Sequence, residues 1–226
     1  MSRVLPILFN TEMVRAILDG LKTCTRRICK DANEYTVPDM DFYNADSRTY
    51  AVHNFADKEH MEQLSTAERT CPICPGDILY VRETWERFEC WNCEGDESGN
   101  CPKEPKKSVL DKTCGCYMYR ATDEINGDAK WHPSIHMPKE AARIWLKVTD
   151  VRVERLQNIT ADGIRNEGLS SAAVHCGDVE IALKEWENLW NSTIKKSDID
   201  RYGWGANPWV WVIEFERCKK PEEGER

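Results

Sequence analysis

The chain has 226 residues and a formal net charge of −8, which excludes a protein that coats duplex nucleic acid through global charge but leaves room for a small basic cleft. An apolar share of 41% supplies a core, yet no run approaches the ~20 apolar residues of a membrane span, and the start of the chain lacks a secretory h-region with a cleavage site. A cytoplasmic protein is expected, and in a reducing compartment its 11 cysteines point to a metal site or plain thiols rather than to a disulfide framework.

Val4, Leu5, Ile7 and Leu8 around Pro6 read as a short strand. Met13, Val14, Ile17, Leu18 and Leu21 then recur at helical spacing, with Asn10 or Thr11 able to cap the start. Gly20 is a natural stop, because it takes the left-handed conformation at no steric cost. Lys22, Thr23, Thr25, Arg26 and Arg27 follow at once. Hydroxyls and positive charge just past a chain reversal make either an anion-attracting pocket wall or a solvated turn. Residues 28–69 are polar and without sustained period, and read as an irregular excursion with room for one hairpin.

The run Cys71-Pro-Ile-Cys74-Pro-Gly76-Asp77 is a tight turn that delivers the chain into a barrel strand, Ile78 to Val81. Arg82 and Glu83 at its end either pair with neighbours or face a pocket. Residues from about 88 to 116 look like an insertion too polar for a core of its own. A structural zinc would order it, held most economically by Cys90, Cys93, Cys101 and either Cys114 or Cys116. Cys71 and Cys74 share the ligand spacing, and the alternative is a loop with free thiols.

Residues 117–122 return to a strand, and 131–138 are extended between two prolines. His132 and His136 flank Ser134, but the pattern offers no orienting carboxylate, so structural histidines are favoured over a nucleophile. One helical turn is expected at 139–144, then a long strand or bent strand pair over 144–156. Asn158 or Thr160 caps a short helix that runs to Gly168 and places Glu167 at its carboxyl end, where the helix dipole disfavours negative charge. Such a carboxylate is either solvated or held by a cation, and in the second case it is useful for chemistry. A second amphipathic helix covers 178–194, with a stripe of Val179, Leu183, Trp186, Leu189, Trp190 and Ile194 whose tryptophans are core. A polar loop over 195–207 leads to a β-forming strand from Pro208 to Arg217, and 219–226 is a charged tail.

Four blocks carry a resemblance: Pro6 to Arg27, Pro75 to Trp85, Pro133 to Pro138 and Asn207 to Phe215. Together they resemble the ASCH family, most closely its larger phage and prophage branch. The resemblance implies an α+β fold: a PUA-like mixed β-barrel with flanking helices, formed by a single domain over 1–218 with insertions at about 28–69 and 88–116. It also implies a cleft between barrel and helix that takes RNA, a nucleotide or a modified nucleoside. The family signature is Gly, any residue, Lys, two residues, Glu, any residue, Arg, and it falls on Gly20, Lys22, Thr25 and Arg27. Threonine replaces the acidic residue, which departs from a carboxylate-based ribonuclease. It is similar to the Gly-Arg-Lys-Thr-Ile-Thr-Ile-Arg motif of the compact bacterial 4-acetylcytidine amidohydrolases of this family. Their proposed lysine, threonine and glutamate map to Lys22, Thr25 and, less directly, Glu167.

Three functions follow. The first is an RNA- or nucleotide-binding cleft without turnover, with Gly20 shaping the turn, Lys22, Arg26 and Arg27 holding phosphate, Arg82 and Glu83 beside them, and Trp85 or Trp204 stacking a base. The second is an amidohydrolase acting on N-acylated cytosine nucleosides. Thr25 would attack, Lys22 would act as base once desolvated, Glu167 would orient it, and Arg27 or a backbone N–H after Gly20 would steady the oxyanion. The third is a ribonuclease.

Overall fold

The structure, a computed structural model, describes residues 2–30, 36–44, 47–55, 63–89, 115–124, 130–169 and 177–221. Its centre is a five-stranded sheet built from β1 (Val4–Leu8), β2 (Cys24–Ile28), β6 (Ile78–Arg82), β9 (Trp145–Arg155) and β10 (Trp209–Cys218), in the order β1-β6-β9-β10-β2. β1 and β6 run parallel, and the other neighbours are antiparallel. The two long strands β9 and β10 pair from Trp209 opposite Arg155 to Cys218 opposite Trp145, with one register shift at Glu214/Phe215.

β10 is rich in β-branched and aromatic residues and is buried on both faces from Val210 to Ile213. Alternation sends Trp211, Ile213 and Phe215 into one core and Val210 and Val212 into another. The first core also holds Val14 and Ile17 of α1 (Thr11–Leu18) together with Leu79, Val81 and Leu146. The second is closed by Ile164 of α2 (Ala161–Asn166) and by Ala182, Trp186 and Trp190 of α3 (Val179–Thr193). The expected tryptophan core of α3 is therefore present. Val179, expected in the stripe, is 48% exposed, because the helix turns Ala182 inward instead.

The expected barrel is not formed. Strands near residues 5, 80, 148 and 212 do share one sheet, but among the described residues no ladder joins β2 back to β1. α1 makes the connection between those edge strands, and the Arg27 guanidinium of β2 donates to the Leu8 carbonyl of β1 at 2.8 Å. The remaining strands form two separate sheets, so the fold is α+β with mixed sheets. One pairs β7 (Trp85–Glu89) with β8 (Gly115–Tyr119). The other is an antiparallel meander of β3 (Thr36–Asn44), β4 (Thr49–Phe55) and β5 (Gln63–Thr70), so the described part of 28–69 is far more regular than its sequence suggested. Tyr50 of β4 docks the meander on the main core, edge-on to Trp211 with centroids 5.0 Å apart. In the loop after α3 there is a further single-turn helix, α4 (Ile199–Tyr202). No described helix is long and apolar enough to cross a membrane.

The turn before β6 is pinned by Asp77, which is fully buried. Its carboxylate accepts from Arg3 at 2.9 Å, from Arg48 and from the Cys74 amide at 3.0 Å. Burial alone would raise its pKa, but the hydrogen bonds from Arg3 and from backbone amides outweigh burial and hold it below the usual carboxylate range. A depressed folded pKa contributes stability above the unfolded value and loses it as pH falls through the folded one. Asp77→Asn is expected to cost about 3 kcal/mol at neutral pH, since two guanidinium groups lose a buried counter-charge. It should also flatten the loss of urea stability between about pH 5 and pH 2. An unchanged pH slope in the variant would show that Asp77 is not the titrating group.

Candidate functional site

Two helix ends meet at the edge of the sheet, and the basic turn lies between them. α1 starts with the Asn10 side chain accepting from the Met13 amide at 2.8 Å. It ends in a Schellman turn: Gly20 N donates to Ile17 O at 3.2 Å and Leu21 N to Ala16 O at 2.8 Å, with Gly20 at φ +76° as its sequence position required. The chain then reverses, and the Lys22 amide also donates to Ala16 O at 3.0 Å. α2 is capped by Thr160, whose hydroxyl accepts from Gly163 N at 3.1 Å, and it closes with Glu167 followed by Gly168 at φ +90°. A short antiparallel bridge pairs Lys22 with Glu167, and Thr23 N donates to Asn166 O at 2.9 Å.

This bridge turns the Lys22 and Glu167 side chains toward each other. Lys22 Nζ donates to Glu167 Oε2 at 2.6 Å and to the Glu167 carbonyl at 2.9 Å, with side-chain exposures of 0% and 2%. A cation on the last carbonyl of α2 also offsets the unfavourable dipole at that end. The carboxylate expected to be either solvated or held by a cation is held by two. Arg26 Nη1 donates to Glu167 Oε1 at 3.1 Å, while Arg26 Nε and Nη2 donate to Glu154 Oε1 of β9 at 3.1 and 2.7 Å. The order Lys22–Glu167–Arg26–Glu154 therefore alternates in sign. Two bare neighbours make room for it: a Cβ on Gly163 would lie 3.1 Å from Arg26 Nη2, and one on Gly168 3.0 Å from Lys22 Cβ.

Strand parity divides the rest of the motif. Cys24 and Arg26 share one side of β2, with Arg26 Nη1 3.8 Å from Cys24 Sγ and its guanidinium over the Trp186 ring at 6.0 Å. Burial, then the Glu167 carboxylate, pushes the Cys24 thiol up to about 12, so it stays protonated at neutral pH. Burial alone would lower the Arg26 pKa, but Glu167 and Glu154 outweigh it and raise it. Thr25 and Arg27 point to the opposite side. Thr25 is 1% exposed, lies opposite Ile213 in the ladder, and its hydroxyl makes no hydrogen bond among the described residues. The Arg27 guanidinium stacks on Phe9 at 5.3 Å, and Lys22 Nζ approaches the same ring at 5.5 Å. Burial lowers the Arg27 pKa, with Glu167 acting in the other direction.

Lys22 and Glu167 are thus joined directly, and Thr25 follows on the adjoining strand. Arg26 engages protein carboxylates instead of facing a ligand. Arg82, Glu83 and Trp85 have partners elsewhere. Arg82 Nε donates to Met137 O at 2.7 Å. Arg143 clasps both Glu83 oxygens at 2.9 Å, and Trp85 lies against His132 and Tyr117 with centroids 5.1 and 5.8 Å away. Burial raises the Glu83 pKa, and the Arg143 contacts offset part of that. Trp204 packs at the second core, its amide donating to Asn191 Oδ1 at 2.8 Å. A carboxylate does stand near His132, with Glu86 Oε1 3.5 Å from Nε2, but Ser134 hydrogen-bonds neither histidine among the described residues.

Sequence reasoning missed Glu154, Cys24 and Phe9, and it placed Gly168 at a helix end without its close approach to Ala16 and Lys22. Only Gly168 carried a signal, as a glycine just past a helix end. Of the expected zinc ligands, Cys90, Cys93, Cys101 and Cys114 lie outside the described residues, and Cys116 stands on β8 opposite Phe88. Cys71 and Cys74 are fully buried in the main core, where Cys71 Sγ donates to Ile73 O at 2.8 Å. Among the described residues no three metal-ligating side chains converge. Compared with protein-family models, with characterised sequences and with solved structures, the chain has no match.

Proposed function

We propose that the protein is an amidohydrolase that removes the acyl group from N-acylated cytosine, with Thr25 as nucleophile, Lys22 as base and Glu167 as its proton partner. The reading rests on the resemblance of the Gly20 to Arg27 motif to the ASCH amidohydrolases and not on a barrel. The observation that carries it is the 2.6 Å contact between Lys22 Nζ and Glu167 Oε2, two residues 145 positions apart. A buried ion pair gives little net stability over well-packed apolar residues, so its presence favours a chemical role.

In the proposed reaction Glu167 takes a proton from the Lys22 ammonium, and the neutral amine then takes the Thr25 hydroxyl proton as Oγ1 adds to the acyl carbon. The turn amides of Leu21, Lys22 and Thr23 are already donated to Ala16 O and Asn166 O, so the re-formed ammonium is the charge that meets the oxyanion. The C–N bond breaks, and the cytosine amino group leaves with the proton from Glu167. In a second round Glu167 again takes the ammonium proton, and Lys22 takes a proton from water as its oxygen adds to the acyl carbon. The ester C–O bond breaks with Thr25 Oγ1 leaving on the proton from Glu167, which returns the pair to ammonium and carboxylate. Thr25 is closed off in the form described and its hydroxyl is not hydrogen-bonded to Lys22, so turnover requires its cover to move and the Lys22 amine to swing onto Oγ1.

The test is acetate release from 4-acetylcytidine. Wild type should turn over, and Thr25→Ala should lose activity by about 10³-fold or more, as loss of a nucleophile does, with Thr25→Ser restoring part of it. Equal rates in wild type and Thr25→Ala would reject the nucleophile. No release by wild type, together with binding of single-stranded RNA, would replace the hydrolase by a binding protein.

A further inference from the structure

We infer that the ligand carries a phosphate ester and that Arg27 receives it. The inference takes its probe, a cytosine nucleotide, from the proposed hydrolase reading and deepens that reading by naming the substrate class.

Three cations follow the Gly20 turn, and the structure separates them by their counter-charges. Lys22 is paired to Glu167, and Arg26 to both Glu167 and Glu154. Arg27 has no carboxylate within ion-pair distance among the described residues. Among the described residues its guanidinium makes one hydrogen bond, from Nη2 to the Leu8 carbonyl at the solvent edge, 2.8 Å away. The other guanidinium donors have no protein acceptor among the described residues, although the group is partly buried on the Phe9 ring. A guanidinium stacked in one orientation, with donors left over toward solvent and no counter-charge, is prepared to receive an anion.

Position points the same way. Arg27 lies two residues along β2 from Thr25 on the same side, about 7 Å away along the strand. Phe9 holds it beside Lys22 without joining it to the Lys22–Glu167 pair. An anion bound there would sit to one side of the reacting atoms, where a ribose phosphate lies relative to the amide on the base. The planar fork of arginine matches phosphate oxygens bidentately, which a lysine cannot do.

The experiment is calorimetric titration of the full chain with cytidine, cytidine 5′-monophosphate and a cytidine-containing trinucleotide. Wild type should bind the monophosphate at least about tenfold more tightly than cytidine, one charge-assisted contact being enough for that. The preference should weaken as salt is raised. It should collapse toward unity in Arg27→Gln and survive in part in Arg27→Lys. A trinucleotide that binds still more tightly identifies the phosphate as that of a strand, and one no tighter than the monophosphate identifies a free nucleotide; both keep the inference. Equal affinities for cytidine and its monophosphate in wild type overturn it, as does a preference that persists in Arg27→Gln. Should Arg27→Gln not fold, the wild-type ratio and Arg27→Lys decide. Hydrolysis is not read here, so a protein that fails to release acetate leaves this test intact.

Discussion

Glu167→Gln should destabilise the protein by about 3–5 kcal/mol, the range for removing one partner of a buried ion pair. The side chains of Lys22, Arg26 and Glu167 are at most 2% exposed, so water cannot take over the lost charge. Glutamine keeps the shape and one acceptor oxygen, which isolates charge from packing. Lys22→Met should cost a similar amount, because it leaves Glu167 with Arg26 alone. The double variant should cost clearly less than the two single losses together, since groups in one network do not add. Urea unfolding of the four proteins closes this cycle. Single variants within about 1 kcal/mol of wild type would mean that the pair is solvated and behaves as a surface salt bridge.

The same pair shows how far the sequence could be read. Local features were legible because their causes are local: Asn10 and Thr160 as caps, Gly20 as the stop of α1, and the β-forming run of β10. Glu167 was partly legible, since a carboxylate at a helix carboxyl end needs a cation, although no window of sequence says which. The division of labour between Arg26 and Arg27 was not legible. It follows from strand parity, and a shift of β2 by one residue would exchange the two roles. Glu154 reaches Arg26 through the pairing of β9 and β2 on either side of β10, a contact 128 residues apart in the chain. The meander β3-β4-β5 was missed because its strands satisfy one another by backbone ladders and lack the apolar alternation of a strand with one face on the core. The barrel failed for a related reason: four strands in one sheet do not determine whether its edges meet.

Gly168→Ala should cost about 2–5 kcal/mol and impair acetate release, although residue 168 bears no chemical group. Two effects combine. Its φ of +90° is a left-handed conformation in which an L side chain costs roughly 1–2 kcal/mol. A Cβ there would also lie 2.8 Å from Ala16 Cβ and 3.0 Å from Lys22 Cβ. Neither neighbour is the end of a flexible chain, so relief requires a backbone shift, and overpacking of this kind costs about 1–3 kcal/mol. The shift would part the two helix ends just where Lys22 meets Glu167. Gly20→Ala supplies the control: its φ is +76°, but no atom lies within 4 Å of the added Cβ, so it carries the conformational cost without the clash. Ala16→Gly in the Gly168→Ala background should recover part of the difference by removing the nearer contact. Stability from urea unfolding and acetate release should fall together in Gly168→Ala, while Gly20→Ala loses only the smaller share of stability. If the two glycine variants prove equally stable, the close approach of Gly168 to Ala16 and Lys22 is not what seats the pair.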